Sequence, residues 1–444
     1  MTANRRAPPS GVTELRARGI AQTLHAPPDL RAWQQEALGL WVAGGSRGIV
    51  AAATGTGKTR LALAAIAAFF QPRDRVVIVV PSIALQDQWV RELRSGFGLV
   101  PAQIGRVGGG QESHAEVHAI VVAVINSTRG GMAALIDYWR NENRRVLLVV
   151  DECHWAGAGL NANILDAATD ATLGLSATPE RSDDGLEDVL IPSLGPVIYR
   201  YPLRQALDDG LLAPLLCLDL YVEPTSGEQA SYDVLAKRIR LMHNEVRNQP
   251  QPAAALDRLL AKRGKLLSEM GAREAALADA VDGGLLDGKR AIIFHERIQK
   301  ADGTMELLRD RGIRAVLDST KRTAAQRAIA LDSFRNGASP VLVAVRTVDE
   351  GIDVPKADLA IITAGTSTPR QRIQRMGRVV RPSGGEARCI SFLAAGTTEE
   401  SEIGCGDSFL VGPERVRHHR WPAQSVAEAW DAPTSTYQPS LKFI

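Results

Sequence analysis

The stretch Ala53-Thr54-Gly55-Thr56-Gly57-Lys58-Thr59 constrains this chain more than any other. An apolar run, Gly48 to Ala53, precedes it and reads as a buried strand, and the Ala/Leu-rich Arg60–Phe70 follows it and reads as a helix. A glycine-rich turn between strand and helix points backbone N–H groups into one concavity at the helix N-terminus, which makes a phosphate cradle. In that setting Thr54, Gly55, Thr56 and Gly57 line the cradle, Lys58 reaches the β- and γ-phosphates, and the Thr59 hydroxyl ligates Mg²⁺. Ala52 stands where such loops usually carry their first glycine.

From Leu30 onward, short apolar runs alternate with longer helical patterns. The runs are Ile49–Ala53, Val76–Val80, Ile120–Ile125, Val146–Val150 and Leu173–Leu175. A second series follows: Ala291–Phe294, Ala315–Leu317, Val341–Val345, Leu359–Ile362 and Cys389–Leu393. Continuous apolar strands separated by helices predict parallel sheets covered on both faces. The expected organisation is a loose Pro/Arg-rich lead-in (1–28), a first α/β domain (29–222), a helical insertion (223–284), a second α/β domain (285–400) and a weakly patterned tail (401–444). In the insertion, Ser231–Val246 and Ala253–Val281 read as two long helices broken by Gln249-Pro250-Gln251-Pro252. Lys237, Arg238 and Arg240 belong to a group of eight cations set against three acids over Ser231–Lys265. That group is either a solvated hairpin face or a nucleic-acid contact.

The net charge is only +2 over 444 residues, so a polyanionic partner would have to be met by local patches. The four cysteines, Cys153, Cys217, Cys389 and Cys405, form no CxxC pair and no zinc spacing. No apolar run approaches the ~18 residues of a membrane span. A reducing, cytoplasmic setting is expected.

Val146–Val150 ends in Asp151-Glu152-Cys153-His154. An apolar strand that delivers two adjacent carboxylates beside a phosphate loop has a definite use. Asp151 holds Mg²⁺ directly or through water, and Glu152 orients and deprotonates the attacking water. Cys153 reads as a small packing residue, because the carboxylates beside it disfavour a thiolate.

With these residues in place the chain resembles a superfamily 2 helicase whose DECH box stands in the DEAD/DEAH position. Leu30-Arg31-Ala32-Trp33-Gln34 is similar to the adenine-reading segment, which implies that Gln34 bonds the base edge and that Arg31 or Trp33 stacks on it. Pro81-Ser82 resembles motif Ia, and Asn126, Ser127 and Thr128 fall in the motif Ib region, where hydroxyl and backbone N–H groups hold the phosphates of a strand. Ser176-Ala177-Thr178-Pro179 resembles motif III. The resemblance makes His154, Ser176, Thr178 and Gln374 coupling residues between ATP state and domain closure. Gly351-Ile352-Asp353 resembles motif V, placing Gly351 and Asp353 at the nucleotide. Val345 and Arg346 stand where motif V usually has its polar strand contact, so Thr347 is the candidate replacement. Within the superfamily, DECH, SATPxR and the helical insertion lie closest to the branch holding RadD, XPB and restriction-enzyme motors.

Gln374-Arg375-Met376-Gly377-Arg378-Val379-Val380-Arg381 resembles motif VI. Five arginines, Arg370, Arg372, Arg375, Arg378 and Arg381, fall within twelve residues free of acids, and such a cluster repels itself unless an anion compensates. Spacing of three predicts Arg375, Arg378 and Arg381 on one helical face. The resemblance makes Arg378 and Arg381 arginine fingers that also bind ATP, so hydrolysis is expected to require both domains to close on one nucleotide.

The fold expected is therefore α/β, two RecA-like parallel-sheet domains with a helical insertion between them. The function expected is an ATP- and Mg²⁺-dependent helicase or translocase that steps along DNA, held mainly at phosphates. An ATP-switched DNA-binding motor subunit of a restriction, repair or phage-defence complex is the second reading. An RNA helicase is the third.

Overall fold

The computed structural model describes residues 20, 23–112, 114–157, 159–180, 184–248, 253–345, 357–364, 369–377, 379, 385–402 and 404–439. The chain forms two compact units that divide between Pro202 and Leu203.

In the first unit the elements run α1 (Ala32–Ala43), β1 (Arg47–Ala52), α2 (Lys58–Phe69), β2 (Arg75–Val80), α3 (Ile83–Phe97), β3 (Ile104–Gly108), β4 (Gln111–Glu112), β5 (Ile120–Val124), α4 (Met132–Asn141), β6 (Val146–Asp151), β7 (Ala171–Ser176), α5 (Ile191–Leu194) and β8 (Val197–Tyr201). The strands form one sheet in the order β4-β3-β5-β2-β6-β7-β1-β8. All pairs are parallel except the short β3–β4 hairpin. Strands β2, β5, β6 and β7 are buried at every residue, as their unbroken apolar sequences predict. Burying each Val, Ile or Leu contributes about 1.5–3 kcal/mol. The sequence reading passed over β3 and β8. Both run at the margin of the sheet, and Gly105, Arg106 and Arg200 interrupt the apolar pattern there.

Helix α3 shows how sequence sets one element. The Ser82 hydroxyl caps its start by accepting the Leu85 N–H, and Gly98, at φ +68°, ends it. Its buried residues, Leu85, Gln86, Trp89, Leu93 and Phe97, recur at helical spacing and face the sheet. Gln86 locks the helix in place by donating to Val107 O (3.1 Å) and Val122 O (2.8 Å) on two strands.

The second unit contains α6 (Leu203–Asp208), β9 (Leu215–Val222), α7 (Ser226–Asn248), α8 (Ala253–Glu269), α9 (Ala272–Asp282), β10 (Ala291–His295), α10 (Ile298–Asp310), β11 (Ala315–Asp318), α11 (Ala324–Arg335), β12 (Val341–Val345), β13 (Leu359–Ile362), α12 (Pro369–Met376), β14 (Ala387–Ala394), α13 (Thr398–Glu402), α14 (Gly404–Val411), β15 (Val416–Trp421) and α15 (Val426–Asp431). Its parallel sheet has the order β11-β12-β10-β13-β14-β9-β15. Two RecA-like parallel sheets are thus present, as expected.

Three expected boundaries are corrected. Residues 203–222, assigned to the first domain, belong to the second, because β9 pairs with β14 from Leu215↔Ala387 to Val222↔Ala394. The second long helix of the insertion breaks at Met270-Gly271 into α8 and α9. Ala272, Ala276, Leu277, Ala280 and Val281 of α9 join the sheet core with Leu218 and Leu220, so only α7 and α8 form a hairpin, around Ile239, Leu256 and Leu259. The expected tail supplies β15, which pairs with β9 and completes the sheet edge. In the expected lead-in, Ile20 and Leu24 are buried.

At the end of β10, His295 is 4% exposed with both ring nitrogens 2.9 Å from threonine hydroxyls. The Thr363 hydroxyl donates to Phe294 O, so it accepts from His295 Nδ1, and Nε2 accepts from Thr304. Burial first, then the Arg375 and Lys300 cations, lower its pKa from 6.5 to about 3. This stabilisation is complete above the unfolded value near 6.5 and is lost as pH falls toward 3, because only the unfolded chain accepts the proton. Urea unfolding at pH 7.5 and 5.5 should show wild type losing about 1.4 kcal/mol more than His295→Gln over that interval. Equal losses would assign the pH response to other groups.

Candidate functional site

The carboxyl ends of β1, β6 and β7 lie side by side, with Ala51 opposite Ser176 and Asp151 opposite Leu175. Adjacent strands are about 4.8 Å apart, so the loop after β1 stands about 10 Å from the end of β6. In a parallel sheet this edge is where ligands bind.

The loop itself is shaped by its carbonyls. Lys58 Nζ donates to Ala52 O (2.8 Å), Thr56 Oγ1 to Ala53 O (2.7 Å), Arg31 to Thr56 O (2.5 Å) and Gln34 Nε2 to Gly57 O (2.9 Å). The Gln34 oxygen accepts the Arg31 N–H at 2.8 Å, closing the start of α1 onto the loop. Among the described residues no acceptor takes the N–H of Thr54, Gly55, Gly57, Lys58 or Thr59. These donors, at the N-terminus of α2, suit phosphate oxygens. Gly57 must be glycine. Its φ is +100°, and a Cβ there would stand 2.8 Å from Gln34 Nε2.

Of the expected adenine residues, Arg31 and Gln34 are joined to the phosphate loop. Trp33 is corrected: it is 5% exposed and stacks on Tyr201 (5.0 Å) and Tyr199 (6.2 Å), so its ring offers no face to a base.

Asp151 ends β6 at 7% exposure. Its Oδ2 accepts the Trp89 indole N–H at 2.8 Å and its Oδ1 the Glu152 N–H at 3.0 Å. Burial, then the Glu152 charge, push its pKa up to about 6, against the Trp89 bond and the Lys58 cation. A divalent cation would offset both effects. One buried carboxylate plus the Thr59 hydroxyl, with phosphate oxygens and waters, fits Mg²⁺, which prefers few protein ligands. Such an ion would neutralise charge on the phosphates.

Glu152 is one of three described non-glycine residues with positive φ, at +46°. Its Oε2 is buried without a hydrogen bond, although His154 Nδ1 lies 3.5 Å away. The Glu152 side chain is 18% exposed, so the part of its carboxylate that reaches solvent can take a water proton. His154 Nδ1 lies 3.1 Å from Ser176 Oγ, which also accepts the Thr178 N–H at 3.1 Å. The DECH turn and the end of β7 are thereby connected through His154, Ser176 and Thr178. The Thr178 hydroxyl is buried and unpartnered. Cys153 is fully buried in the core, its thiol pushed up by burial and by both carboxylates, which fits the packing role.

The candidate strand contacts are more occupied than expected. Ser82 Oγ caps α3. Thr128 is 4% exposed and donates to Ile125 O at 2.7 Å, while Asn126 accepts from Arg129 at 3.1 Å. Arg129, exposed and also bonded to Asn161 at 2.6 Å, is a cation the sequence reading did not single out. Gly108-Gly109-Gly110 is a positive-φ turn packed against Ser127 and Ile83.

In the second unit, α12 carries Arg375, the one described residue of the expected helical face. Arg375 is 1% exposed, bonded to Glu296 at 2.9 Å and set over the Phe294 ring. Arg372 is bonded to Asp407 and Ser391. The arginine cluster is therefore compensated in part by carboxylates remote in sequence. Gln374 is 7% exposed. Arg378, Arg381, Thr347, Gly351 and Asp353 lie outside the described residues. On α7, Lys237, Arg238 and Arg240 are exposed, with no ion pair among the described residues.

Residues 28–181 match the family profile described as type III restriction enzyme, res subunit, and residues 274–383 match the helicase conserved C-terminal domain. The chain is 31% identical over 389 residues to the DNA 3′–5′ translocase XPB2 of Sulfurisphaera tokodaii, covering 84% of this chain and 83% of that protein. It is 25% identical to the DNA 3′–5′ helicase XPB of Kineococcus radiotolerans, covering 86% of this chain and 63% of that protein, so it spans less than two thirds of that longer relative. Among solved structures, S. cerevisiae Dbp5 bound to RNA and ADP BeF3 superposes with a TM-score of 0.59 at 16% identity, covering 88% of this chain and 89% of that one. That likeness is one of fold.

If Glu152 takes the proton of the attacking water, Glu152→Gln should bind a fluorescent ATP analogue as wild type does and release no phosphate. Glu152→Gly should also fail to turn over, yet unfold at higher temperature by the ~1 kcal/mol that a left-handed side-chain residue costs. Turnover near the wild-type rate in Glu152→Gln would remove this residue from the chemistry.

Proposed function

We propose, for a chain that belongs to the XPB family of superfamily 2 helicases, that its work is ATP-dependent translocation along DNA. The observation that carries this reading is one edge of one sheet. There a phosphate loop with unspent N–H groups stands at the end of β1, and a buried Asp151 followed by Glu152 stands at the end of β6, with one strand between them. Lys58 and the loop hold the phosphates, Thr59 and Asp151 hold Mg²⁺, Glu152 orients water, and Arg31 and Gln34 set the loop against the adenine side. Arg378 and Arg381 are proposed as the fingers that stabilise charge in the transition state, with Gly351 and Asp353 beside the nucleotide.

DNA is favoured over RNA by the relatives, which are named as a DNA translocase and a DNA helicase. The contacts proposed for the strand are Pro81, Ser82, Asn126, Ser127, Thr128 and Thr347, joined by Lys237, Arg238 and Arg240. The match to the restriction-enzyme res subunit supports a second reading, a motor subunit that drives a partner acting on the same DNA. No described helix is long and apolar enough to cross a membrane.

Two measurements test the proposal. ATP turnover should rise with single-stranded, duplex or forked DNA and rise less with RNA at equal salt. No stimulation by any nucleic acid would defeat the motor reading, and stronger stimulation by RNA would reassign the substrate. Reversing the charge of Lys237, Arg238 and Arg240 together should weaken DNA binding and reduce the slope of log affinity against log salt by roughly 0.9 per lost phosphate contact. An unchanged slope would return the α7–α8 hairpin to a solvated surface.

A further inference from the structure

Four tryptophans are buried in the first unit; Trp33 Nε1 has no acceptor among the described residues, while Trp41, Trp89 and Trp139 satisfy their indole N–H groups differently. Trp41 donates to Thr172 O and Trp139 to Glu116 O, both backbone carbonyls. Trp89 donates to Asp151 Oδ2, an ionisable carboxylate. A tryptophan that served only to fill the core would need any acceptor. This one is aimed at the strand-end acid beside the phosphate loop.

The geometry around Asp151 gives that aim a consequence. A carboxylate offers about four lone-pair directions. The Trp89 N–H takes one on Oδ2 and the Glu152 N–H takes one on Oδ1, so rotation of the carboxylate is fixed and one direction on each oxygen remains. Trp89 is itself immobilised. It is 1% exposed, on a helix capped by Ser82 and tied by Gln86 to Val107 O and Val122 O.

We propose that Trp89 is a positioning residue that holds Asp151 in the orientation that ligates Mg²⁺. Trp89 also joins the metal carboxylate to α3, whose cap Ser82 is a proposed strand contact. The inference rests on the reading of Asp151 as the metal-binding carboxylate. Groups that orient a metal ligand typically contribute 10–100-fold to metal affinity.

The test is Mg²⁺-dependent binding of a fluorescent ATP analogue to the full chain, without nucleic acid, alongside binding in EDTA. Trp89→Phe keeps an aromatic ring and removes the donor. Replacing Trp89 by 3-benzothienylalanine keeps the whole bicycle, with sulfur in place of N–H, and decides the matter if Trp89→Phe fails to fold by circular dichroism. The Mg²⁺ midpoint should rise about tenfold or more, with affinity in EDTA within about twofold of wild type. A midpoint unchanged in a folded variant overturns the proposal, as does an equal loss of affinity with and without Mg²⁺, which would mark a packing role. Asp151→Asn separates the two claims. If it leaves the midpoint unmoved, the metal reading of Asp151 falls. If it moves the midpoint while both Trp89 variants do not, the role of Trp89 alone falls.

Discussion

The site depends on where the carbonyl oxygens of one short loop are bonded. A phosphate cradle needs several backbone N–H groups left open on one side. The carbonyls of the same peptides then turn to the other side, into protein, and a buried carbonyl without a donor costs about 1–3 kcal/mol. Arg31, Gln34, Thr56 and Lys58 supply four donors to the carbonyls of residues 52, 53, 56 and 57. Ala53 O and Gly57 O also accept backbone N–H groups, from Thr56 and from Arg60 and Leu61, so the side-chain donors matter most at Ala52 O and Thr56 O. Arg31 and Gln34 thus shape the loop from behind, and Gly57 is glycine because its φ of +100° strains any side chain.

The two units share a sheet design and differ at its carboxyl edge. In the first, burial and then the Glu152 charge push the Asp151 carboxyl up, and the Lys58 cation offsets this only in part. In the second, several described polar groups at and near this edge are matched within the unit. His295 is held neutral between two threonines, Arg375 is held by Glu296 and the Phe294 ring, and Arg372 by Asp407. Burying an ion pair is costly unless its geometry is good, and losing one partner is costlier still. Arg372 and Arg375 are therefore committed to holding α12 on its own sheet.

Local physics was legible in the sequence and long-range pairing was not. The loop from Ala53 to Thr59 and the acids after β6 could be read because strand, turn and helix signals lie within a few residues of each other. Strands with unbroken apolar runs were legible for the same reason. Leu215–Val222 was not, because Asp219 interrupts it and its place beside β14 is set by residues far along the chain. Arg372 looked uncompensated because Asp407 lies 35 residues later, and Glu296 lies 79 residues before Arg375. Trp89 is a core residue by burial. Only the identity of its hydrogen-bond acceptor, which no spacing encodes, separates it from Trp41.

The turn at Glu152 shows what the catalytic edge costs the fold. In an extended strand, successive side chains leave on opposite faces, so adjacent acids could not both address a ligand beyond the strand end. A left-handed residue at 152 ends β6 and starts a tight helical turn. The chain changes direction between two carboxylates that repel one another, at a backbone cost of order 1 kcal/mol or more. Glycine would remove that cost, and asparagine would reduce it, but neither carries a carboxylate. The strain persists because the flanking residues leave no alternative. The Asp151 carboxylate takes the Glu152 N–H, and the carbonyl of Glu152 accepts from Trp155 at 3.0 Å. Asp151 is in turn held by Trp89, so the orientation of its carboxylate and the strained conformation of the neighbouring acid are stabilised by the same short set of hydrogen bonds.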